Sequence, residues 1–145
     1  MSKETNNKKL ADRLYENVRM GSFAIDCIME KIENEKLANL LRKQNKFYLD
    51  TTDAITNLAK TLNFELKDVN FVAKGMSYMS IKTKTLMNND SPKLAEMLVQ
   101  GTTMGITDTI KAQSEYPTQN EELSALTQRI IKHEEEFVDS LKTFL

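Results

Sequence analysis

The single histidine of this chain lies beside three glutamates in the stretch IIKHEEEF, residues 130–137. Helical bundles can bind iron or manganese through histidine and glutamate side chains that project inward from neighbouring helices. A dinuclear centre of that kind takes one glutamate from each of two helices and a Glu-x-x-His pair from each of the other two. One chain cannot supply that set, because it has one histidine and Ile130 stands where the paired glutamate would be.

A smaller ligand set is the alternative, with His133, Glu134 and Asp108 as its candidates. At ~100° per residue, Asp108 and His133 each point about 40° from the centre of the apolar stripe on their helix, and Glu134 lies on the flank. Counted from the turn that joins these helices, Asp108 and His133 are separated by about 10 Å along the bundle. We therefore expect no bound cofactor, and we expect His133 to hydrogen-bond a polar neighbour such as Thr51 or Gln44. The glutamates that follow His133 are expected to form a solvated helix face.

Glycines fall inside two predicted helices, where each costs up to ~1 kcal/mol relative to alanine. Gly101 and Gly105 share the predicted inward stripe of one helix, and Gly21 falls at a similar height in another. We expect these positions to allow close approach of a facing helix or to make room for a bulky side chain such as Tyr48. The alternative is a small cavity that admits an apolar ligand.

Methionine is abundant, with seven residues beyond Met1. Its flexible side chain fills irregular gaps in a core, which is the role we expect for most of them. The alternative is an interaction surface that repacks around a partner and is formed by Met76, Met79 and Met87.

Charge and composition exclude several classes of protein. The chain has 145 residues with 20 basic and 21 acidic side chains and no long block of one sign, so we expect no nucleic-acid or membrane partner. This length fits one domain, residues 1–145. One cysteine permits no intramolecular disulfide, residues 1–9 lack an apolar run, and no segment reaches the ~20 apolar residues that cross a bilayer. These features predict a cytoplasmic protein.

Apolar residues recur at steps of three and four along most of the chain, which is typical of amphipathic helices. A step of five between Ile32 and Leu37 predicts a turn near Asn34. Ser91 before Pro92 is a good helix start, as is Thr118 in a capping box with a glutamate three residues on. The five predicted helices, A to E, span about residues 6–33, 35–62, 68–88, 91–115 and 118–144.

These helices predict an all-α protein. We expect a four-helix bundle of helices A, B, D and E, in which the shorter helix C connects two hairpins and leaves B and D parallel. Long connections of this kind occur in ferritin-like folds. The alternative is a five-helix up-and-down bundle.

The segment KLAEMLVQGTTMGITDTIK, residues 93–111, resembles part of a group of short bacterial helical proteins to which no activity is assigned. The residues that carry the resemblance are Ala95, Glu96, Met97, Gly101, Met104, Gly105, Asp108 and Lys111. The resemblance implies a ferritin-like bundle and supplies no activity. The dinuclear iron chemistry of ferritin-like proteins is not implied, because the matching positions lack its ligands.

The sequence contains no nucleophile triad, glycine-rich phosphate loop, zinc-ligand spacing or paired acid and base. We therefore expect a protein that is not an enzyme and that acts by association, as a homo-oligomer or with a protein partner. The alternatives are a metal-binding or redox bundle, with iron or manganese in a reduced or interface-completed site, and a carrier of a small apolar ligand.

Overall fold

Four α-helices account for the regular structure of the computed structural model, which describes residues 2–71 and 90–145. They are α1 (Lys3–Met29), α2 (Glu35–Thr61), α3 (Ser91–Glu115) and α4 (Glu121–Lys142). The prediction of an all-α protein built on four long helices is thus confirmed for the described residues. None of these helices has an apolar stretch long enough to cross a bilayer.

Each helix begins at a polar side chain that accepts a hydrogen bond from a backbone N–H of its first turn. The four capping residues are Ser2, Asn34, Asp90 and Asn120. Asn34 confirms the turn predicted between helices A and B. At the other end of α2, Asn63 has a φ of 59°, the left-handed conformation in which helices commonly end.

Two predicted capping residues are wrong by one and two positions, although α3 spans residues 91–115 as predicted. Asp90, rather than Ser91, caps α3, and Asn120, rather than Thr118, caps α4. The Thr118 side chain instead accepts a hydrogen bond from the backbone N–H of Asn120 at 3.0 Å. Aspartate and asparagine cap helices as well as serine does, so adjacent candidates cannot be ranked by residue type.

The helices form a bundle in which α1 and α4 each contact both α2 and α3. A short connection makes α1 and α2 antiparallel. The α1 side chains of Asn7 and Asn17 hydrogen-bond Thr118 and Thr109, so α1 is antiparallel to α3 as well. Consequently α2 and α3 run parallel to each other, as was predicted for helices B and D.

Aliphatic side chains fill the bundle along its length. The largest fully buried ones are Leu10, Leu14, Ile25, Ile28, Leu37, Leu41, Ile55, Leu94, Leu123, Ile130 and Leu141. All four helices contribute, and their buried residues follow the steps of three and four read from the sequence. This continuous core makes the described helices one packed unit.

The chain that follows α2 runs along the outside of α1. The backbone N–H of Lys67 donates to Asp12 Oδ1 at 2.8 Å, and the Phe71 ring stacks on Phe23 with centroids 5.0 Å apart. Residues 68–71 are not helical, so the predicted start of helix C at residue 68 is wrong. An extended chain advances about twice as far per residue as a helix does, which suits a segment that runs along the bundle axis. The remainder of helix C, with Met76, Met79 and Met87, lies outside the described residues, as does the choice between a connection and a fifth helix.

The connection between α3 and α4 also runs along α1. Lys9 Nζ lies 5.7 Å from the centre of the Tyr116 ring, whereas Lys3 Nζ donates to Gln119 Oε1 at 2.9 Å. Between these contacts the chain passes six residues of α1, a distance of about 9 Å along the helix axis. This course of the connection determines which residues of α3 and α4 lie at the same height along the bundle axis.

Candidate functional site

Glu134 is a buried carboxylate at the centre of the bundle, with 1% of its surface exposed. Its neighbours Glu135 and Glu136 are exposed, so the expected solvated glutamate face is wrong for Glu134 alone. Glu134 lies four residues after Ile130 and three before Phe137, both of which are buried. That spacing places it on the apolar stripe of α4, and this is the sequence signal that could have identified it.

Both oxygens of the Glu134 carboxylate accept hydrogen bonds from other helices. The Tyr48 hydroxyl of α2 donates to Oε2 at 2.7 Å. The side-chain amide of Asn17, in α1, donates to Oε1 at 2.6 Å. The carboxylate therefore has two neutral donors, one on each oxygen.

Asn17 extends these contacts to α3. Its Nδ2 also donates to Thr109 Oγ1 at 3.0 Å, and the Thr109 hydroxyl donates to the backbone carbonyl of Gly105 at 2.8 Å. Asn17, Tyr48, Thr109 and Glu134 thus form a hydrogen-bonded group with one member from each helix, which we name the central cluster. Tyr48 and Glu134 are both 1% exposed, so the middle of this cluster is closed to solvent.

Two glycines make room for the central cluster. A Cβ atom at Gly21 would lie 2.5 Å from Tyr48 Cζ, and one at Gly105 would overlap Asn17 Oδ1. A bulky Tyr48 side chain therefore occupies the space above Gly21, which was one of the expected roles of these glycines. The space above these two glycines is filled by protein atoms, so it offers no room for the apolar ligand of the alternative.

Gly101 and Asp108 do not point inward. Both are exposed, and apart from the local backbone of α3 no atom of the described residues lies within 4 Å of a Cβ built on Gly101. Their predicted inward orientation is wrong because Thr102 and Thr109, which are 8% and 1% exposed, belong to the buried side of α3. These two threonines rotate the buried face away from Gly101 and Asp108.

Burial controls the ionisation of the central cluster. It raises the pKa of Glu134 from 4.5 to about 7, although the hydrogen bonds from Tyr48 and Asn17 act in the opposite direction. The pKa of Tyr48 is raised well above 10 by burial and by the nearby Glu134 charge, while Gln44 and Thr102 beside its phenol lower it. Near neutral pH, Tyr48 is protonated and Glu134 exists in both its neutral and its charged forms.

Comparison of the chain with protein-family models, with curated proteins and with solved structures found no match. The resemblance to short bacterial helical proteins stays a prediction. The chemistry of the site is therefore derived from its own atoms.

The three metal candidates occupy different places in the structure. The His133 ring stacks on Phe47, with centroids 4.0 Å apart and planes inclined by 11°, while Glu134 points into the core and Asp108 to solvent. Within residues 2–71 and 90–145, no three histidine, cysteine, aspartate or glutamate side chains come together as a metal-binding group. A metal site completed by a second copy of the chain stays a prediction.

The central cluster can bind and release a proton. Glu134 is its only side chain that titrates near neutral pH, and its neighbours are hydrogen-bond donors without positive charge. Gln44 lies close by, is 6% exposed, and its Nε2 has no hydrogen-bond partner in the part of the chain that the structure describes. The cluster is therefore a polar, proton-binding centre inside an apolar core.

Proposed function

We propose that this protein is a ferritin-like helical bundle that is not an enzyme and that acts by associating with a second copy of itself. The helix directions support the ferritin-like assignment, since α2 and α3 are parallel and residues 62–90 connect opposite ends of the bundle. Burial supports a non-enzymatic role, because Tyr48 and Glu134, at 1% exposure each, have no open route to a substrate. The observation that carries the proposal is the outer surface of α3.

This surface, which we name the α3 outer face, is exposed, and it carries no charge before Asp108 at its end. It consists of Gln100, Thr103, Met104, Thr107 and Ile110. Met104 is 68% exposed and Ile110 is 46% exposed, and residues 97–107 include no charged side chain. Large apolar side chains on an exposed, uncharged helix face are typical of an association surface.

The charges that flank the α3 outer face fit a second copy of the same helix. Glu96 lies before this face and Lys111 after it, and both side chains are exposed. If two copies pack antiparallel about a two-fold axis near Thr103 and Met104, Glu96 of each copy lies beside Lys111 of the other. Such a two-fold contact uses the same surface on both copies and pairs opposite charges.

Met104→Glu is expected to weaken dimerisation at least tenfold, which corresponds to about 1.4 kcal/mol, because it places two like charges on the two-fold axis. Leu49→Glu is the matched control, because Leu49 is 53% exposed on α2 beside the Lys46–Asp50 ion pair. Sedimentation equilibrium over a wide range of protein concentrations measures the dissociation constants. The proposal is wrong if the wild type stays monomeric, or if Met104→Glu dimerises as tightly as the wild type.

Charge reversal tests the antiparallel arrangement separately. Lys111→Glu should weaken the dimer by placing a glutamate beside Glu96 of the other copy. The double variant Glu96→Lys with Lys111→Glu should restore wild-type dimerisation, since the pair is then exchanged rather than lost. Failure of this rescue in a protein that still dimerises through Met104 would reject the antiparallel arrangement.

Elemental analysis after anaerobic incubation with ferrous iron, and separately with manganese, tests the metal alternative. We expect no stoichiometric metal in the wild type, because His133, Glu134 and Asp108 do not converge within one chain. Stoichiometric metal that disappears in His133→Ala would contradict this expectation and indicate a site completed between subunits.

A further inference from the structure

The central cluster surrounds an ionisable group with neutral partners from every other helix. Asn17 of α1 and Tyr48 of α2 contact the Glu134 carboxylate, and Thr109 of α3 contacts it through Asn17. Tyr48 is the only one of these three that titrates, and its pKa lies well above 10. No positive charge from these helices therefore balances an ionised Glu134.

The residues next to Glu134 in α4 provide no such charge either. The His133 ring lies against Phe47, and Lys132 and Glu135 are exposed. A buried charge with hydrogen bonds but without a counter-ion is costly, and protonation relieves that cost. The hydrogen bonds and the burial therefore favour opposite states of the same carboxyl group.

Protonation changes what each helix can donate or accept. An ionised Glu134 accepts from both Tyr48 and Asn17, whereas the neutral acid carries a proton of its own and becomes a donor at one oxygen. One partner must then reorient, and the phenol of Tyr48 has Gln44 and Thr102 beside it. Because each partner belongs to a different helix, the change reaches the contact of α4 with α1 or with α2.

We propose that Glu134 is a proton-binding site at the centre of the bundle, and that its ionisation destabilises the folded bundle by leaving a buried charge without a counter-ion. The proposal does not depend on the α3 outer face. It assigns Glu134 a role that the metal alternative does not, since the ligand is a proton and the partners are neutral side chains.

The direction in which the pKa of Glu134 is shifted determines whether stability rises or falls with pH. The folded protein holds the proton more tightly than the unfolded chain, because the pKa of Glu134 is about 7 when folded and 4.5 in its ordinary state. The extra stability is complete below pH 4.5 and is lost as the pH rises through 7. A difference of this size corresponds to a change of about 300-fold in the unfolding equilibrium constant.

Glu134→Gln, which cannot ionise, tests the proposal in urea unfolding measured from pH 5 to pH 9. Relative to wild type, this variant should lose most of the roughly 80-fold increase in the unfolding constant that these two pKa values imply between pH 5 and pH 9. Glu135→Gln removes the same charge from an exposed neighbour and should leave the wild-type profile unchanged. Parallel profiles for the wild type and Glu134→Gln would overturn the proposal.

A measurement on the unaltered protein covers the case in which Glu134→Gln fails to fold. The side-chain NH₂ group of Asn17 donates to Glu134, so its NMR signals should move with pH and show a midpoint near 7. Movement with the ordinary midpoint of an exposed glutamate, or no movement between pH 5 and pH 9, would overturn the proposal.

Discussion

Gly21→Ala is expected to lower the free energy of unfolding by about 3 kcal/mol. A Cβ at this position would lie between 2.5 and 2.9 Å from three atoms of the buried Tyr48 ring. Forcing an extra methyl group into a filled core costs about 1–3 kcal/mol, and moving the ring also disturbs the hydrogen bond between Tyr48 and Glu134. Helix propensity alone predicts the opposite sign, because alanine is favoured over glycine by up to ~1 kcal/mol.

Gly101→Ala is the matched control, because it makes the same substitution inside a helix without a neighbour to displace. Within residues 2–71 and 90–145, no atom beyond the local backbone of α3 lies within 4 Å of a Cβ at Gly101. This variant should gain about 0.5–1 kcal/mol from the lower conformational entropy of its unfolded chain. Urea unfolding of the two variants measures both effects. Stabilisation by both substitutions would show that the Tyr48 ring does not pack against Gly21.

Tyr48→Phe is expected to destabilise the protein by about 1.5–3 kcal/mol above pH 7 and by less at pH 5. The phenylalanine ring preserves the packing and removes only the hydroxyl that donates to Glu134 Oε2. An ionised carboxylate suffers more from the loss of a donor than a neutral acid does. The variant should therefore raise the pKa of Glu134 further, and the loss of stability with rising pH should extend to higher pH.

Tyr15→Phe is the control for loss of a tyrosine hydroxyl. Tyr15 is half-buried, and its hydroxyl accepts from Arg19 Nη1 within the same helix, at 2.6 Å. We expect a change of less than about 1 kcal/mol that does not vary between pH 5 and pH 9. If the two tyrosine variants behave alike, the Tyr48 hydroxyl does not stabilise an ionised Glu134.

The helices could be predicted from the sequence because apolar spacing and capping residues act locally. The stripes through Leu10, Leu37 and Leu123 all face the core as expected. The parallel arrangement of α2 and α3 followed from a connection long enough to return to the other end of the bundle. These features depend on few residues at a time.

The inward face of α3 could not be predicted by counting apolar residues. The hydroxyls of Thr109 and Thr127 each donate to a backbone carbonyl four residues earlier, so both side chains can be buried without a partner from another helix. A prediction based on hydrophobicity counts Thr109 as polar, and it therefore places Gly101 and Asp108 on the buried face of α3.

The position of Glu134 along the bundle axis also could not be predicted by counting residues from the turn. The prediction treated the segment before α4 as a turn, and so separated Asp108 from His133 by about 10 Å. Their neighbours Thr109 and Glu134 in fact share one hydrogen-bond donor, Asn17 Nδ2. The levels coincide because the chain between α3 and α4 descends along α1 before α4 begins. Long-range contacts of this kind depend on the whole bundle.

The most direct test of a buried, proton-binding Glu134 is the pH titration of its carboxyl carbon by NMR, with Glu134→Gln to assign the signal. We expect a midpoint at about 7, well above the ordinary glutamate value of 4.5. A midpoint near the ordinary value of 4.5 would show that the carboxylate is solvated. That result would contradict both the central cluster and the pH dependence derived from it.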